Sequence, residues 1–355
     1  LPKLYIITTE WTEQQWFSTG GTRAKRYLLA PDGNYYYFKR SQYKPTTQNK
    51  AGKDFKYEFW NEIIAYEIGS LLGFNVLKYD IAIDENIMGC ISESMIREIE
   101  NQELIEGVKY LQANFPEFDP SNKNHRTWYT FDLIEKALQF ANIGGFITDI
   151  LEVIVLDSLI GNGDRHQENW AIITKKRKLT EVLPEIINKP ESASQKAILK
   201  LLKSQEDKII AQGQKLPSHY YIKENSFAPI YDSGSSLGRE LLPEKVLFFL
   251  SSEHELKSYI AKGTSEIHWE NKKLSHFQLI RNLLNSRHKE NITKIIERVI
   301  RKFDSSKIEQ FIEKIDIEVP ETHAGYRIPA SRKRLIYKII TLRFEILRDL
   351  INERV

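Results

Sequence analysis

The chain has 355 residues, a mass of 41.6 kDa and a formal net charge of +3 from 51 basic and 48 acidic side chains. That length accommodates about two domains with ordinary cores, and the near-balanced charge argues against a dedicated nucleic-acid binder, which carries a strong basic excess. The single cysteine, Cys90, excludes a disulfide framework and a cysteine-rich zinc site, and fits a reducing, cytoplasmic compartment.

The N-terminus, Leu-Pro-Lys-Leu, has neither the charged nor the apolar region of a signal peptide. It also lacks an initiator Met, so a trimmed chain or a fragment is expected. Residues 3–9 and 26–30 are short apolar and aromatic runs that predict strands. The turn Pro31-Asp32-Gly33-Asn34 leads into another strand at 35–40. Pro presets one backbone angle of such a turn, and Gly accepts a positive one. Trp60, Ile64, Ile68 and Leu71 recur at helical spacing and predict a helix over 58–72, ended by Gly73. Residues 75–83 and 87–91 read as further strands.

Beyond residue 100 the pattern becomes helical, with helices expected at 131–141 and 145–160. The apolar run 143–160 contains Asp149, Glu152 and Asp157. Three carboxylates are costly in lipid, so a buried core helix is predicted in place of a membrane crossing. Residues 181–225 read as a charged surface insertion with a helix at 194–211. From residue 243 onward the chain is mostly helical. Ser306 and Glu309 suggest a capping box, and Leu335, Ile339, Leu342, Ile346 and Leu350 form one stripe of a last helix. The expectation is an α+β chain of two lobes: a small β-rich lobe at 1–95 and a larger helical lobe at 96–355, with a cleft between them.

Four segments carry chemistry. The sharpest is Leu-Ile-Gly-Asn-Gly-Asp-Arg-His-Gln-Glu-Asn-Trp-Ala-Ile-Ile at 159–173. It places Asp164, Arg165, His166 and Asn169 between two apolar elements, where polar groups are costly unless they have a task. Asp164 and Asn169 have the spacing by which kinase loops set a carboxylate at the acceptor hydroxyl and an amide oxygen on a metal ion. A turn stabilised by Asp and Asn side chains is the plain alternative. The second segment, Phe-Ala-Pro-Ile-Tyr-Asp-Ser-Gly-Ser-Ser-Leu-Gly at 227–238, offers Asp232 as a second hard oxygen ligand, or as a turn residue. The third is Lys39 at the end of its strand, which holds ATP phosphates or is simply solvated. The fourth is the loop with Ser18, Thr19, Gly20, Gly21 and Thr22, whose glycines allow backbone approach to phosphates. A carboxylate from the helix at 58–72 should pair with Lys39: Glu62 or Glu67. His166 is assigned a structural role in its loop, and no other histidines share metal-ligand spacing.

Together these segments, in this order, resemble the HipA-like serine/threonine protein kinase family, toxins of HipBA- and HipBST-type toxin–antitoxin modules. The residues that carry the resemblance are Ser-Thr-Gly-Gly-Thr-Arg-Ala-Lys from Ser18, Tyr-Tyr-Phe-Lys-Arg around Lys39, and Asn-Glu-Ile-Ile-Ala-Tyr-Glu-Ile-Gly from Asn61, with the Asp164 and Asp232 segments. A weaker likeness continues around 328–347. The resemblance implies that Asp164 is the catalytic base, that Asn169 and Asp232 hold Mg2+, and that Lys39 contacts ATP phosphates under the Ser18–Lys25 loop. It also implies that backbone groups near Glu93 and Met95 bind adenine. Ser18 matches a position that is autophosphorylated in the family; a phosphate there adds about −1.5 to −2 charges beside ATP. The expected partners are an antitoxin and a translation-related protein substrate such as an aminoacyl-tRNA synthetase.

Three departures are visible. The start close to the phosphate loop matches short members without the extra N-terminal subdomain. The 181–225 insertion lengthens the separation of Asn169 from Asp232, and two glycines make the phosphate loop more glycine-rich. The alternatives are a phosphoinositide-type lipid kinase, for which Arg332-Lys333-Arg334 offers a basic surface, and a catalytically silent nucleotide-binding module. The basic stretches at 175–178 and 281–289 read as solvated faces, not nucleic-acid contacts.

Overall fold

The structure is a computed structural model of the chain, and it describes residues 1–14, 25–41, 43–44, 53–97, 100–186 and 193–352. In chain order the elements begin with β1 (Leu4–Ile7), β2 (Thr12–Glu13), β3 (Lys25–Leu29), β4 (Tyr35–Arg40), β5 (Tyr43–Lys44) and β6 (Lys53–Asp54). Next come α1 (Glu58–Leu72), β7 (Asp80–Asp84), β8 (Ile87–Glu93), β9 (Gln102–Glu106), α2 (Gly107–Asn114), α3 (Phe131–Phe140) and α4 (Ile147–Ile160). Then follow β10 (Ala171–Lys178), α5 (Leu179–Ile186), α6 (Ala193–Ala211), β11 (Tyr221–Phe227), α7 (Pro243–Ser251) and α8 (Glu253–Lys262). The chain ends with α9 (His276–Leu284), α10 (Lys289–Lys302), α11 (Ser305–Lys314) and α12 (Ala330–Asn352).

These elements form two compact units. The first comprises Leu1–Ser94, Glu106–Trp170 and Pro229–Val355; the second comprises Met95–Ile105 and Ala171–Ala228. The boundary expected after residue 95 follows the change from strand-rich to helix-rich sequence. Compactness instead groups residues 1–94 with most of the helical part, and sets Met95–Ile105 with a segment wider than the expected insertion.

In the first unit a six-stranded sheet runs in the order β1-β7-β8-β4-β3-β2, antiparallel except for the β1–β7 pair. Gly33, at φ +82°, makes the turn from β3 into β4. Side chains alternate along β4. Tyr36 and Phe38 join a core with Ile7, Leu28, Ala82 and Ile91, while Lys39 lies on the opposite face. Helix α1 packs against β8 and ends at Gly73. The strand read at 75–83 starts only at Asp80. Asn75 and Leu77 bond instead to Ile230, through Ile230 N–H to Asn75 O at 2.8 Å and Leu77 N–H to Ile230 O at 2.9 Å.

The helical part is built around α4, whose residues from Val153 to Ile160 are all buried. It packs against α9, α10 and α12. Two of its three carboxylates are paired: Glu152 with Arg298 at 2.7 Å, and Asp157, 4 % exposed, with Arg165. The cap expected at Ser306 is displaced. Asp304 caps α11 by accepting from Lys307 N–H at 3.0 Å, while an unforeseen capping box, Ser275 with Gln278, starts α9.

The second unit holds a three-stranded sheet in the order β11-β10-β9, with α5 and α6. The basic run at 175–178 lies inside β10, and all four cations have acidic partners. Lys175 pairs with Glu100, Lys176 with Glu103, Arg177 with Glu185 and Glu224, and Lys178 with Glu206.

Candidate active site

Helix α4 stops where the chemistry begins. Gly161 takes the left-handed conformation at φ +71°, and its N–H bonds to Asp157 O at 2.8 Å. A β-carbon at Gly161 would lie 2.9 Å from the Arg343 guanidinium, so glycine serves both the turn and the close approach. Arg343, projecting from α12, donates to the α4 carbonyl Ser158 O at 2.9 Å, and burial pushes its pKa down to about 10. Cations suit helix C-termini, where carbonyls lack partners.

The loop after Gly161 is held mainly by its own polar groups. Asn162 Nδ2 donates to Asp157 Oδ1 at 3.0 Å, and Asn162 Oδ1 accepts from Asp164 N–H at 3.2 Å. The Asp164 carbonyl accepts from His166 N–H at 2.9 Å and from Asn169 Nδ2 at 2.7 Å. Both amide side chains thus fix the backbone on either side of a half-buried Asp164 carboxylate. His166 Nδ1 accepts from Glu168 N–H at 3.3 Å, which folds the loop.

Arg165 joins this loop to the second one. It is 1 % exposed, and it meets Asp157 through Nε and Nη2 at 3.0 and 2.9 Å. The same guanidinium donates to Asn169 O at 2.8 Å, to Tyr231 O and to Ser233 Oγ at 3.2 Å. The residues flanking Asp232 and the backbone of Asn169 therefore share one cation. Desolvation opposes that charge, but Asp157 beside it keeps Arg165 protonated. Asp232 itself has φ +56°, a conformation that Asp tolerates better than most residues.

Asp232 also reaches the sheet and α1. Lys39, 5 % exposed, sits 2.6 Å from Asp232 Oδ1 and pairs with Glu62, which is 1 % exposed. Glu62 Oε2 accepts from Ser233 N–H at 2.7 Å, and Asn61 Nδ2 donates to Ser236 O at 2.6 Å. One turn earlier on α1, the buried Glu58 pairs with Arg239. A β-carbon on Gly234 would lie 2.9 Å from Glu62 Oε1 and 3.1 Å from Glu58 Cγ, so only glycine fits unstrained under α1. Tyr79, buried beside Asp232 and Glu62, has its hydroxyl pKa pushed well up by burial.

The structure thus gathers Lys39, Glu62, Asp164, Asn169 and Asp232 into one bonded network. Of the two carboxylates considered for Lys39, Glu62 meets it; Glu67 is half-buried, and burial raises its pKa. Glu93 ends β8 opposite Tyr36, and Met95 begins the second unit. Ser18, Thr19, Gly20, Gly21 and Thr22 lie outside the described residues. The sequence reading assigns no role to Asp157, Asn61, Ser233, Ser235 or the Glu58–Arg239 pair, and marks Arg165 only as a polar residue of the loop. The signals were the buried Asp157 within an apolar helix and the i, i+3, i+4 placement of Glu58, Asn61 and Glu62.

The donors of Asn169 and Asp232 suit a hard divalent cation. They are an amide oxygen, oriented by the bond from its own Nδ2 to Asp164 O, and a carboxylate. Mg2+ commonly takes one or two such protein oxygens and completes its shell with water and phosphate. Among the described residues no group of three or more His, Cys, Asp or Glu converges as a metal centre. No helix of the described residues is long and apolar enough to cross a membrane.

No protein-family model and no curated protein sequence matches the chain. Among solved structures, the Helicobacter pylori proinflammatory kinase CtkA superposes with a TM-score of 0.69 at 17 % identity, over 99 % of each chain. A chain of the Shewanella oneidensis toxin–antitoxin complex of HipA, HipB and operator DNA superposes with a TM-score of 0.43 at 11 % identity, over 98 % of this chain and 65 % of that one. The golgi casein kinase follows at 0.27 and 13 %, over 98 % and 74 %. By fold, the chain is α+β, with a strand-rich part and a helical part, and it shares its architecture with the CtkA structure.

Proposed function

We propose that the chain is an ATP- and Mg2+-dependent protein serine/threonine kinase. The observation that carries this reading is the network in which Lys39 bonds Asp232 and Glu62 while Arg165 ties the flanks of Asp232 to the Asp164–Asn169 loop. A carboxylate base, two oxygen ligands and a carboxylate-anchored lysine form a constellation suited to phosphoryl transfer.

In this reading Asp164 accepts the proton of the acceptor hydroxyl as its oxygen bonds to the γ-phosphorus. The bond to the β,γ-bridging oxygen breaks, and ADP leaves with that electron pair. Asn169 and Asp232 hold Mg2+, which neutralises phosphate charge when bound. Lys39, held by Glu62, orients phosphates. The loop with Ser18, Thr19, Gly20, Gly21 and Thr22 covers them, and backbone groups near Glu93 and Met95 receive adenine. His166 keeps the loop folded.

The family resemblance extends the proposal to a cytoplasmic toxin restrained by an antitoxin, which phosphorylates a translation-related protein such as an aminoacyl-tRNA synthetase and autophosphorylates at Ser18. Of the Arg332-Lys333-Arg334 cluster that the lipid-kinase alternative would use, Arg334 is exposed and the other two are engaged within the chain. Arg332 is buried and donates to Gly238 O at 3.1 Å and to Leu241 O, while Lys333 pairs with Asp316 at 2.6 Å. Incubation with labelled ATP and Mg2+, with cell lysate or phosphoinositide vesicles as acceptor, tests the proposal. Label in protein supports it; label in lipid alone, or none in either, contradicts it. Peptide mapping of the labelled chain then reads Ser18 directly.

A further inference from the structure

Three residues beyond Asp232, Ser235 Oγ donates to Asp164 Oδ2 at 3.1 Å. This hydroxyl stands on a segment secured on every side. Glu62 accepts from Ser233 N–H, Asn61 donates to the carbonyl of Ser236, Arg165 donates to Ser233 Oγ, and Ser236 Oγ donates back to Ser233 O at 2.6 Å. Arg239 pairs with Glu58, and Arg332 holds the carbonyls of Gly238 and Leu241. A hydroxyl on such a frame has little freedom to swing toward a phosphorus atom. It is well suited to hold one oxygen of its neighbour still.

We infer that Ser235 is a positioning residue for the Asp164 carboxylate, an assignment that rests on the kinase reading. The Asp164 backbone is set by Asn162 and Asn169, and the Ser235 hydroxyl acts on the carboxyl group itself, whose direction depends on side-chain torsions that a backbone anchor does not fix. The bond from Ser235 to Oδ2 holds one oxygen of that carboxyl group and so sets its orientation toward the acceptor hydroxyl. The inference also joins two functions that the sequence separates: the segment that carries the metal ligand Asp232 sets the orientation of the base.

The test is steady-state turnover of Mg2+-ATP, with dephosphorylated casein as the acceptor probe, for wild type, Ser235→Ala and Ser235→Thr. Phosphopeptide mapping of the kinase accompanies it. Loss of orientation at the base lowers kcat about tenfold in Ser235→Ala while KM for ATP stays within about twofold, because binding is not touched. Ser235→Thr, which keeps the hydroxyl, restores kcat to within about threefold, and Ser235 carries no phosphate in the wild type. Wild-type kcat in Ser235→Ala, a KM change as large as the kcat change, no rescue by Thr, or phosphate on Ser235 each overturns the inference; the last identifies Ser235 as an acceptor instead. Wild-type protein that transfers no phosphate to casein or to itself overturns the kinase reading, and this inference with it.

Discussion

The two units handle charge in opposite ways. In the second, the four cations of β10 are only half-buried, and all of their partners except Glu206 lie at the surface. Arg177 spans Glu185 and Glu224, whose side chains are 61 % and 45 % exposed. In the first, Lys39, Glu62, Asp157 and Arg165 are each 5 % exposed or less. The residue types are the same, but water screens one set and has been removed from the other. Exposed pairs keep a strand soluble at little energetic consequence. Buried pairs are costly to assemble, and when each member is satisfied they hold neighbouring loops in fixed relation. In the first unit, the Lys39–Glu62 and Asp157–Arg165 pairs stand where two loops are held to a sheet and a helix.

The largest expected contrast is in activity. Asp164→Asn and Asp232→Asn each lower phosphate transfer by about a thousandfold or more, measured with labelled ATP, while circular dichroism shows both variants folded. A variant that keeps robust turnover breaks the assignment of its residue.

Next comes stability. Arg165→Met strands the Asp157 carboxylate in the core, and one-sided removal from a buried pair costs about 3–5 kcal/mol, read by urea unfolding. A loss under about 1 kcal/mol shows that water reaches the pair and removes the distinction between the units. A smaller effect follows from crowding. Gly234→Ala sets a methyl 2.9 Å from Glu62 Oε1, and overpacking of this kind costs about 1–3 kcal/mol. It also raises KM for ATP, because Glu62 moves with Lys39. Wild-type stability together with wild-type KM shows that α1 yields freely. The smallest effect is in the second unit. Arg177→Ala, despite three contacts within 3.0 Å, leaves the melting temperature within about 2 °C of wild type.

Much of the scaffold was legible because local signals were strong. The helix over 58–72 has a regular apolar stripe and a glycine stop, and the 26–40 hairpin has Pro and Gly at the turn. Asp164 and Asn169 were visible because polar residues stood between apolar elements. The rest depends on contacts distant in sequence. Residues 75–79 look like a strand, yet their partner is Ile230. Arg332 and Arg343 sit in a helix whose apolar stripe conceals that both guanidiniums are buried against carbonyls. Ser306 has the composition of a cap, but Asp304 reaches the helix end first. Arg165 carries no local mark of its role, because its partners lie at Asp157, Asn169, Tyr231 and Ser233.

The central claim is that Asp164, Asn169 and Asp232 surround one magnesium-bound nucleotide beside Lys39. A crystal structure of the protein with Mg2+ and a non-hydrolysable ATP analogue tests it most directly. The account predicts a metal ion about 2.1 Å from oxygens of Asn169 and Asp232, phosphates at Lys39, and the Asp164 carboxylate facing the terminal phosphate. A nucleotide bound elsewhere, or a metal that ignores Asn169 and Asp232, would contradict it.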